Sequence, residues 1–291
     1  LRLVGSEMCI RDSCGTRLHL QHGPIDLIVG ADGTKETRAF AFSAATQRFE
    51  TVLEELVCEL DLLRTPLRNN APIPEGHIAK RMHWATQPHS DTFITRMAAV
   101  AGSVADTILN SMITAIPLNR AYVNNGGDIA IHLSSGTEFK MAMSDINGRD
   151  LGRIMITYDQ RIGGVATSGR HGRSLSMGIA DSVTVLAACA AQADAATTLI
   201  ANAVDLPHHP QILRCAANLI DPDSDLGQRP VVTGYKTLSD HDIATALNRG
   251  TRCARSMQTR DDIAGAALFL NDGVRLLGNS FTRAKRSLID A

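Results

Sequence analysis

The chain has 291 residues, 44% hydrophobic and 20% charged, enough to bury the core of one large domain or two small ones. Its formal net charge of -1, with no long block of one sign, offers nucleic acid no electrostatic footprint, and no uninterrupted apolar run approaches the length needed to cross a bilayer. The six cysteines (Cys9, Cys14, Cys58, Cys189, Cys215 and Cys253) show no paired metal-ligand spacing. Cys58 and Cys189 sit inside apolar patterns, where a reduced thiol behaves as a small hydrophobe, so a reducing, cytoplasmic compartment is expected.

Leu1 to Ser13, reading LRLVGSEMCIRDS, resembles a translated sequencing-adapter leader of the kind found on proteins from metagenomic assemblies. It lacks the basic start, continuous apolar region and small-residue cleavage site of a secretory signal. The expected division is therefore 1–13 as a leader that stands apart from the fold, 14–278 as one domain that could divide into two lobes, and 279–291 as a polar, basic tail.

Leu18-His19-Leu20 and Ile25–Val29 read as two strands joined at Gly23-Pro24. Phe42, Ala45, Phe49, Val52, Leu53, Leu56 and Leu60 then recur at helical spacing, with Glu54 and Glu55 on the polar face. Residues 64–77 carry three prolines and a glycine and read as a loop. Met97–Ile113 reads as a helix rich in small residues, open to close approach by another backbone or a ligand. Strands are expected at Ala121–Asn124, Asp128–Leu133, Glu138–Met143, Arg153–Tyr158 and Gly164–Thr167. Ser182–Ala187 fits strand or helix. Gln192–Val204 reads as a helix; a polar loop at 221–230, a strand near Val231–Tyr235, a helix over Asp240–Arg260 with Ser239 as N-cap, and a strand at Ala266–Leu270 complete the pattern. Such mixing of strands, hairpins and helices argues an α+β fold.

Three places offer chemistry. Gly126, Gly127 and Asp128, after Asn124-Asn125, bare backbone N–H groups that a phosphate could meet, or they form an ordinary hairpin turn. Thr167, Ser168 and Gly169 end a strand, with Arg170, His171 and Arg173 next; the hydroxyls either donate to an anion or cap a turn. Asp194 and Thr198 lie four apart on a helix and share a face, a carboxylate and a hydroxyl suited to Mg²⁺, which borrows phosphate oxygens from its ligand. They read equally as a helix acid and an exposed threonine. His208-His209 beside Asp205 has no second ligand pair at regular spacing and reads as surface loop. Trp84 could stack on a planar ligand or simply pack at the surface.

The order Gly126-Gly127-Asp128, Ala166-Thr167-Ser168-Gly169, Ser182-Val183-Thr184-Val185, then Asp194 with Thr198 resembles the ApbE-like family, the FAD:protein FMN transferases. Over Arg17 to Leu270 the chain is similar to an uncharacterised branch of that family, protein family 0280, on Leu18–Pro24, Ala201-Asn202-Ala203-Val204 and Asp223-Ser224-Asp225-Leu226-Gly227. The branch has been seen fused to a redox protein of the 6-hydroxynicotinate reductase type. The resemblance implies a mixed sheet with packed helices, Mg²⁺ on Asp194 and Thr198, and FAD or FMN as substrate or ligand held by Gly126, Gly127, Asp128, Thr167, Ser168 and Gly169. The interval Arg170–Asp181 lacks the transferases' His-x-x-Asp-Pro segment, Gly102 stands for their helix lysine, and Arg96 stands roughly where they carry an aspartate. The catalytic base is therefore unassigned, with His171 a substitute only if the fold brings it near. Two expectations stand side by side: metal-dependent FMN transfer from FAD or hydrolysis of its pyrophosphate, and a non-catalytic flavin or small-ligand module serving a redox partner.

Overall fold

The computed structural model describes residues 8–11, 16–172 and 174–284. The chain begins with strands β1 (Met8–Arg11), β2 (Arg17–His22) and β3 (Ile25–Ala31), then helices α1 (Lys35–Phe49), α2 (Val52–Cys58), α3 (Leu60–Arg64), α4 (His77–Thr86) and α5 (Val100–Ala115). Four antiparallel strands follow, β4 (Arg120–Asn125), β5 (Asp128–Leu133), β6 (Glu138–Ser144) and β7 (Asp150–Thr157), then β8 (Gly164–Ser168) and β9 (Ser182–Ala187). The last third holds α6 (Ala190–Ala203), β10 (Ile212–Ala216), β11 (Pro230–Tyr235), α7 (Asp240–Thr259), β12 (Gly265–Leu270), β13 (Gly273–Leu277) and β14 (Phe281–Arg283). The α+β reading holds.

A 9-stranded sheet runs β1-β2-β3-β4-β5-β8-β9-β12-β13, antiparallel at every pairing. Period-two alternation sorts its side chains between two cores. Leu18, Leu27, Val123, Val183, Val185 and Leu268 face the helices. Ile131, Val165, Leu186 and Phe269 face the other way, onto a three-stranded sheet, β14-β7-β6, which supplies Ile154, Ile156 and Phe281. Ser182–Ala187 is thereby settled as a strand, buried on both faces, which explains its near-continuous apolar run.

Several expectations change. The helical stripe from Phe42 to Leu60 is broken into α1, α2 and α3. Arg48 bridges the first break, donating to Thr51 and, at 2.6 Å, to Glu55. Glu55, expected on a solvated face, instead accepts a backbone N–H bond from Ile78, and Glu59 accepts from Glu75 and Gly76, closing the N-terminus of α4. That helix was not foreseen, and its own N-cap, Gly76, has no side chain to offer. Of the expected leader, Met8–Arg11 pairs with β2, so this part does not stand apart from the sheet. Edge pairing needs only extended backbone, which sequence patterning does not reveal. The rest of the leader and 285–291 of the tail lie outside the described residues. Among the described residues one stretch, Arg96–Ala115, is long and apolar enough to cross a membrane, contrary to expectation; half of that window is buried inside the fold, where α5 serves as a core helix.

Two glycines let the centre close. At Gly102 of α5 a Cβ would fall 2.3 Å from the carbonyl oxygen of Ala190, and at Gly164 of β8 one would fall 2.2 Å from the amide nitrogen of Ala190. The start of α6 is thus wedged between α5 and the sheet. Alanine for glycine inside a helix normally stabilises by about 1 kcal/mol. Gly102→Ala is expected to do the reverse, lowering stability by about 1–3 kcal/mol in urea denaturation, because the clashing atom is backbone.

Candidate functional site

Helices α5 and α6 lack side-chain caps of their own, their N-cap positions being Ala99 and Cys189. Each is closed by the other. Asp194, in α6, accepts from the amide of Gly102 at 2.9 Å, with Ala101 also donating to its carboxylate. Asp106, in α5, accepts from Ala190 and Ala191, each at 3.0 Å. Both aspartates are buried, so each satisfies backbone donors that water could not reach.

Asp194 and Thr198 share a face one turn apart, as their spacing requires, and both line a cleft of about 480 Å³. Asp128, at the start of β5, lines the same cleft. Its Oδ1 accepts the amide of Thr167 at 3.3 Å. Neither Asp128 nor Asp194 forms an ion pair with any described residue. Burial pushes Asp128 up to about 7. Asp194 rises well above the usual carboxylate range, through burial first and then the neighbouring charge of Asp128. Asp106 is also raised by burial, with Arg81 only loosely placed at 3.8 Å. Arg64, Thr95 and the loop carboxylates Asp221, Asp223 and Asp225 also line the cleft, and Thr95 donates its hydroxyl to Asp225.

The glycine and hydroxyl residues lie elsewhere. Gly126, Gly127, Thr167, Ser168 and Gly169 line a second cleft of about 360 Å³. Gly126 and Gly127, at φ 66° and 114°, form the two-residue turn between β4 and β5, and Gly127 spends its N–H on Asn124 Oδ1 at 2.9 Å. The Thr167 hydroxyl sits 3.1 Å from that of Thr184. His171 also belongs to this cleft, 3.6 Å from Asp181, which Arg170 engages at 2.8 Å. The fold therefore does not bring His171 to Asp194 and Thr198; Arg173 lies outside the described residues. The contact between Asp128 and Thr167 joins the two clefts.

Asp106 was missed by the sequence reading, although a lone carboxylate inside the apolar Val100–Ala115 helix was a signal that something had to satisfy it. Asp128 was read with the glycines, whereas its carboxylate faces the cleft of Asp194. Trp84 is exposed and lies edge-on to His83 at 5.0 Å, which fits surface packing. Arg96 is fully buried, its guanidinium donating to His83 Nδ1 and to the carbonyls of Leu62 and Pro72, so it organises the loop before α4 and does not reach into the cleft chemistry.

Two consequences can be measured. Asp106→Ala strands two buried amides and is expected to cost about 2 kcal/mol, while Asp106→Asn, which keeps a single acceptor oxygen, should cost roughly half, by chemical denaturation. The second concerns pH. The folded values of Asp128, Asp194 and Asp106 all lie above those of an unfolded aspartate, so the native state binds more protons across that interval. In chelator, the stability these three groups contribute is therefore fully present below the unfolded aspartate value of about 4 and is lost as pH rises through about 7. Melting curves across that window test it; a shallower fall in the Asp128→Asn, Asp194→Asn double variant, with Asp106 left to titrate, identifies the groups.

Known proteins resemble this chain in sequence and, more weakly, in structure. A UPF0280 protein of Methanopyrus kandleri is 31% identical over 180 residues, covering 61% of this chain and 69% of that one. Another, of Methanobrevibacter smithii, is 35% identical over 128 residues, 44% of this chain and 52% of its own length. Among solved structures, the ApbE protein of Thermotoga maritima aligns over 94% of this chain and 97% of its own at 13% identity and TM-score 0.43. The flavinyl transferase ApbE of Pseudomonas stutzeri aligns over 95% and 96% at 11% identity, also with TM-score 0.43. Residues 8–277 match the family described as AbpE bacteria, and the chain belongs to that family.

Proposed function

We propose that this protein binds a flavin dinucleotide through its pyrophosphate in the Asp128–Asp194–Thr198 cleft, with a divalent cation, and transfers FMN from it or hydrolyses it. The observation that carries the reading is the buried Asp194 and the partly buried Asp128 in one cleft, neither in an ion pair with a described residue, beside a hydroxyl one helical turn from Asp194. Two carboxylates in one partly buried cleft resist ionising together, and a bound cation would relieve that cost.

The donor set suits Mg²⁺. Asp194, Asp128 and Thr198 supply hard oxygens. No group of three or more His, Cys, Asp or Glu side chains at metal spacing occurs among the described residues, so waters and ligand phosphates would fill the remaining positions. When bound, such a cation offsets charge on the pyrophosphate and on the departing phosphate. The chain's own groups do the rest. The Gly102 and Ala101 amides hold the Asp194 carboxylate in place, and the Thr167 amide holds Asp128. Attack by a threonine hydroxyl of an acceptor protein, or by water, forms a new oxygen–phosphorus bond on the FMN phosphate. The bond to AMP breaks, and the attacking oxygen surrenders its proton.

A second reading follows from the placement of His171. With that imidazole drawn to Asp181 in the other cleft, no histidine lines the carboxylate cleft. The same residues would then hold a flavin without turning it over, for use by a redox partner.

Incubation with FAD and Mg²⁺, with and without a threonine-bearing acceptor, should yield AMP together with FMN or flavinylated acceptor, separated by chromatography. Thr198→Ala and Asp194→Asn should reduce turnover by about 100-fold or more, in the range of losing a key electrostatic contact. Asp194→Ala should in addition lose about 1 kcal/mol of stability, because the carboxylate also caps α5. A Mg²⁺-dependent rise in melting temperature with FAD but no product supports the binding reading. No product and no shift with FAD, FMN or AMP removes both.

A further inference from the structure

A cavity of about 940 Å³ adjoins the carboxylate cleft and shares Phe93, Met177 and Asn202 with it. It is enclosed by the end of α6, by α7, by β10 and by the 88–93 segment. Its lining is mostly apolar, with Met177, Leu199, Ala203, Ile212, Cys253 and Met257 on the walls. A pocket of that size and character suits a small organic ligand.

Polar and charged residues also line it, and two of them matter most for a ligand. His89 is 7% exposed, and its ring makes no hydrogen bond to any described residue. A buried imidazole with idle nitrogens lining an apolar cavity calls for a partner. Arg229 is exposed at the rim, its guanidinium stacked 3.3 Å from the centroid of the Phe93 ring. Stacking occupies the face of the guanidinium and leaves its N–H edge free for a planar carboxylate. Arg229 has no carboxylate partner among the described residues. The other lining arginines are engaged: Arg214 with Asp205, and Arg260 with Asp262. His209 leans on Asp242 at 3.6 Å, and Asp91 is the remaining lining acid, exposed at the surface. One uncommitted cation is too few for a di- or triphosphate and matches a single negative charge.

We propose that this cavity binds a small amphipathic monocarboxylate, its aliphatic or aryl body lying on Met177, Leu199, Ile212 and Met257. Its carboxylate meets the edge of Arg229 at the rim, and a polar atom of the ligand satisfies His89. The site does not depend on the flavin reading, since it uses neither Asp194 nor Thr198.

Octanoate is the probe, with 1-octanol and octylamine as neutral and cationic counterparts, titrated calorimetrically into the full chain. Octanoate is expected to bind saturably with Kd below about 1 mM, and octanol about tenfold more weakly, with octylamine weaker still. Arg229→Gln, at an exposed position, should bring octanoate to the level of octanol and leave octanol unchanged. Ala203→Trp should exclude both by filling the cavity, and Asp194→Asn should leave octanoate binding as it was. Equal binding of the three compounds overturns the proposal. So does no octanoate binding up to about 10 mM, a range in which only very weak association would be missed. Octanoate binding that Arg229→Gln leaves undiminished, or that is lost in Asp194→Asn, overturns it equally.

Discussion

The structure turns on the crossing of α5 and α6, where each helix closes the N-terminus of the other with a buried aspartate. Helix ends leave N–H groups that must be satisfied, and here the crossing is too tight for water: a Cβ at Gly102 would meet the Ala190 carbonyl. Asp194 and Asp106 supply the acceptors from across the interface. Their negative charge also suits the positive end of each helix dipole. A related device recurs at α4, closed by Glu55 of α2 and by Glu59 between α2 and α3. Packing and capping are therefore one event in this fold: none of these helices can end properly until its neighbour has arrived.

The crossing also places the cleft. A carboxylate has more acceptor capacity than two amides consume, so Asp194 can cap α5 and still present oxygen to the cleft it shares with Asp128 and Thr198. Burial that suits the helix ends works against ionisation, and the raised values of Asp194 and Asp128 record that conflict. Asp194 thus caps α5 and lines the cleft at once, so a substitution there reports on both.

Much of the scaffold was legible in the sequence. Ser239 is the N-cap of α7, as its position before Asp240 suggested, and Asp242 completes a capping box with it. The Asn-Gly step gave a hairpin turn at Gly126-Gly127. The shared face of Asp194 and Thr198 followed from their spacing. Less legible were α4, the breaks between α1, α2 and α3, and the separation of Thr167, Ser168 and the glycines from the Asp194 cleft. The Thr167 amide donates to the Asp128 carboxylate, yet the two residues line different clefts.

By itself the sequence determined strands, helices and local turns, because periodicity, caps and glycine act over a few neighbouring residues. It also determined which side chains share a helical face. Only the tertiary structure decided that Asp194 meets Gly102 across 92 positions, that Asp106 meets Ala190 across 84, and that His171 goes to Asp181 and not to the carboxylate cleft. Those outcomes depend on how closely two backbones can approach and on which buried polar groups are left wanting a partner. Both are properties of packed elements, and neither is written in the spacing of residues along one of them.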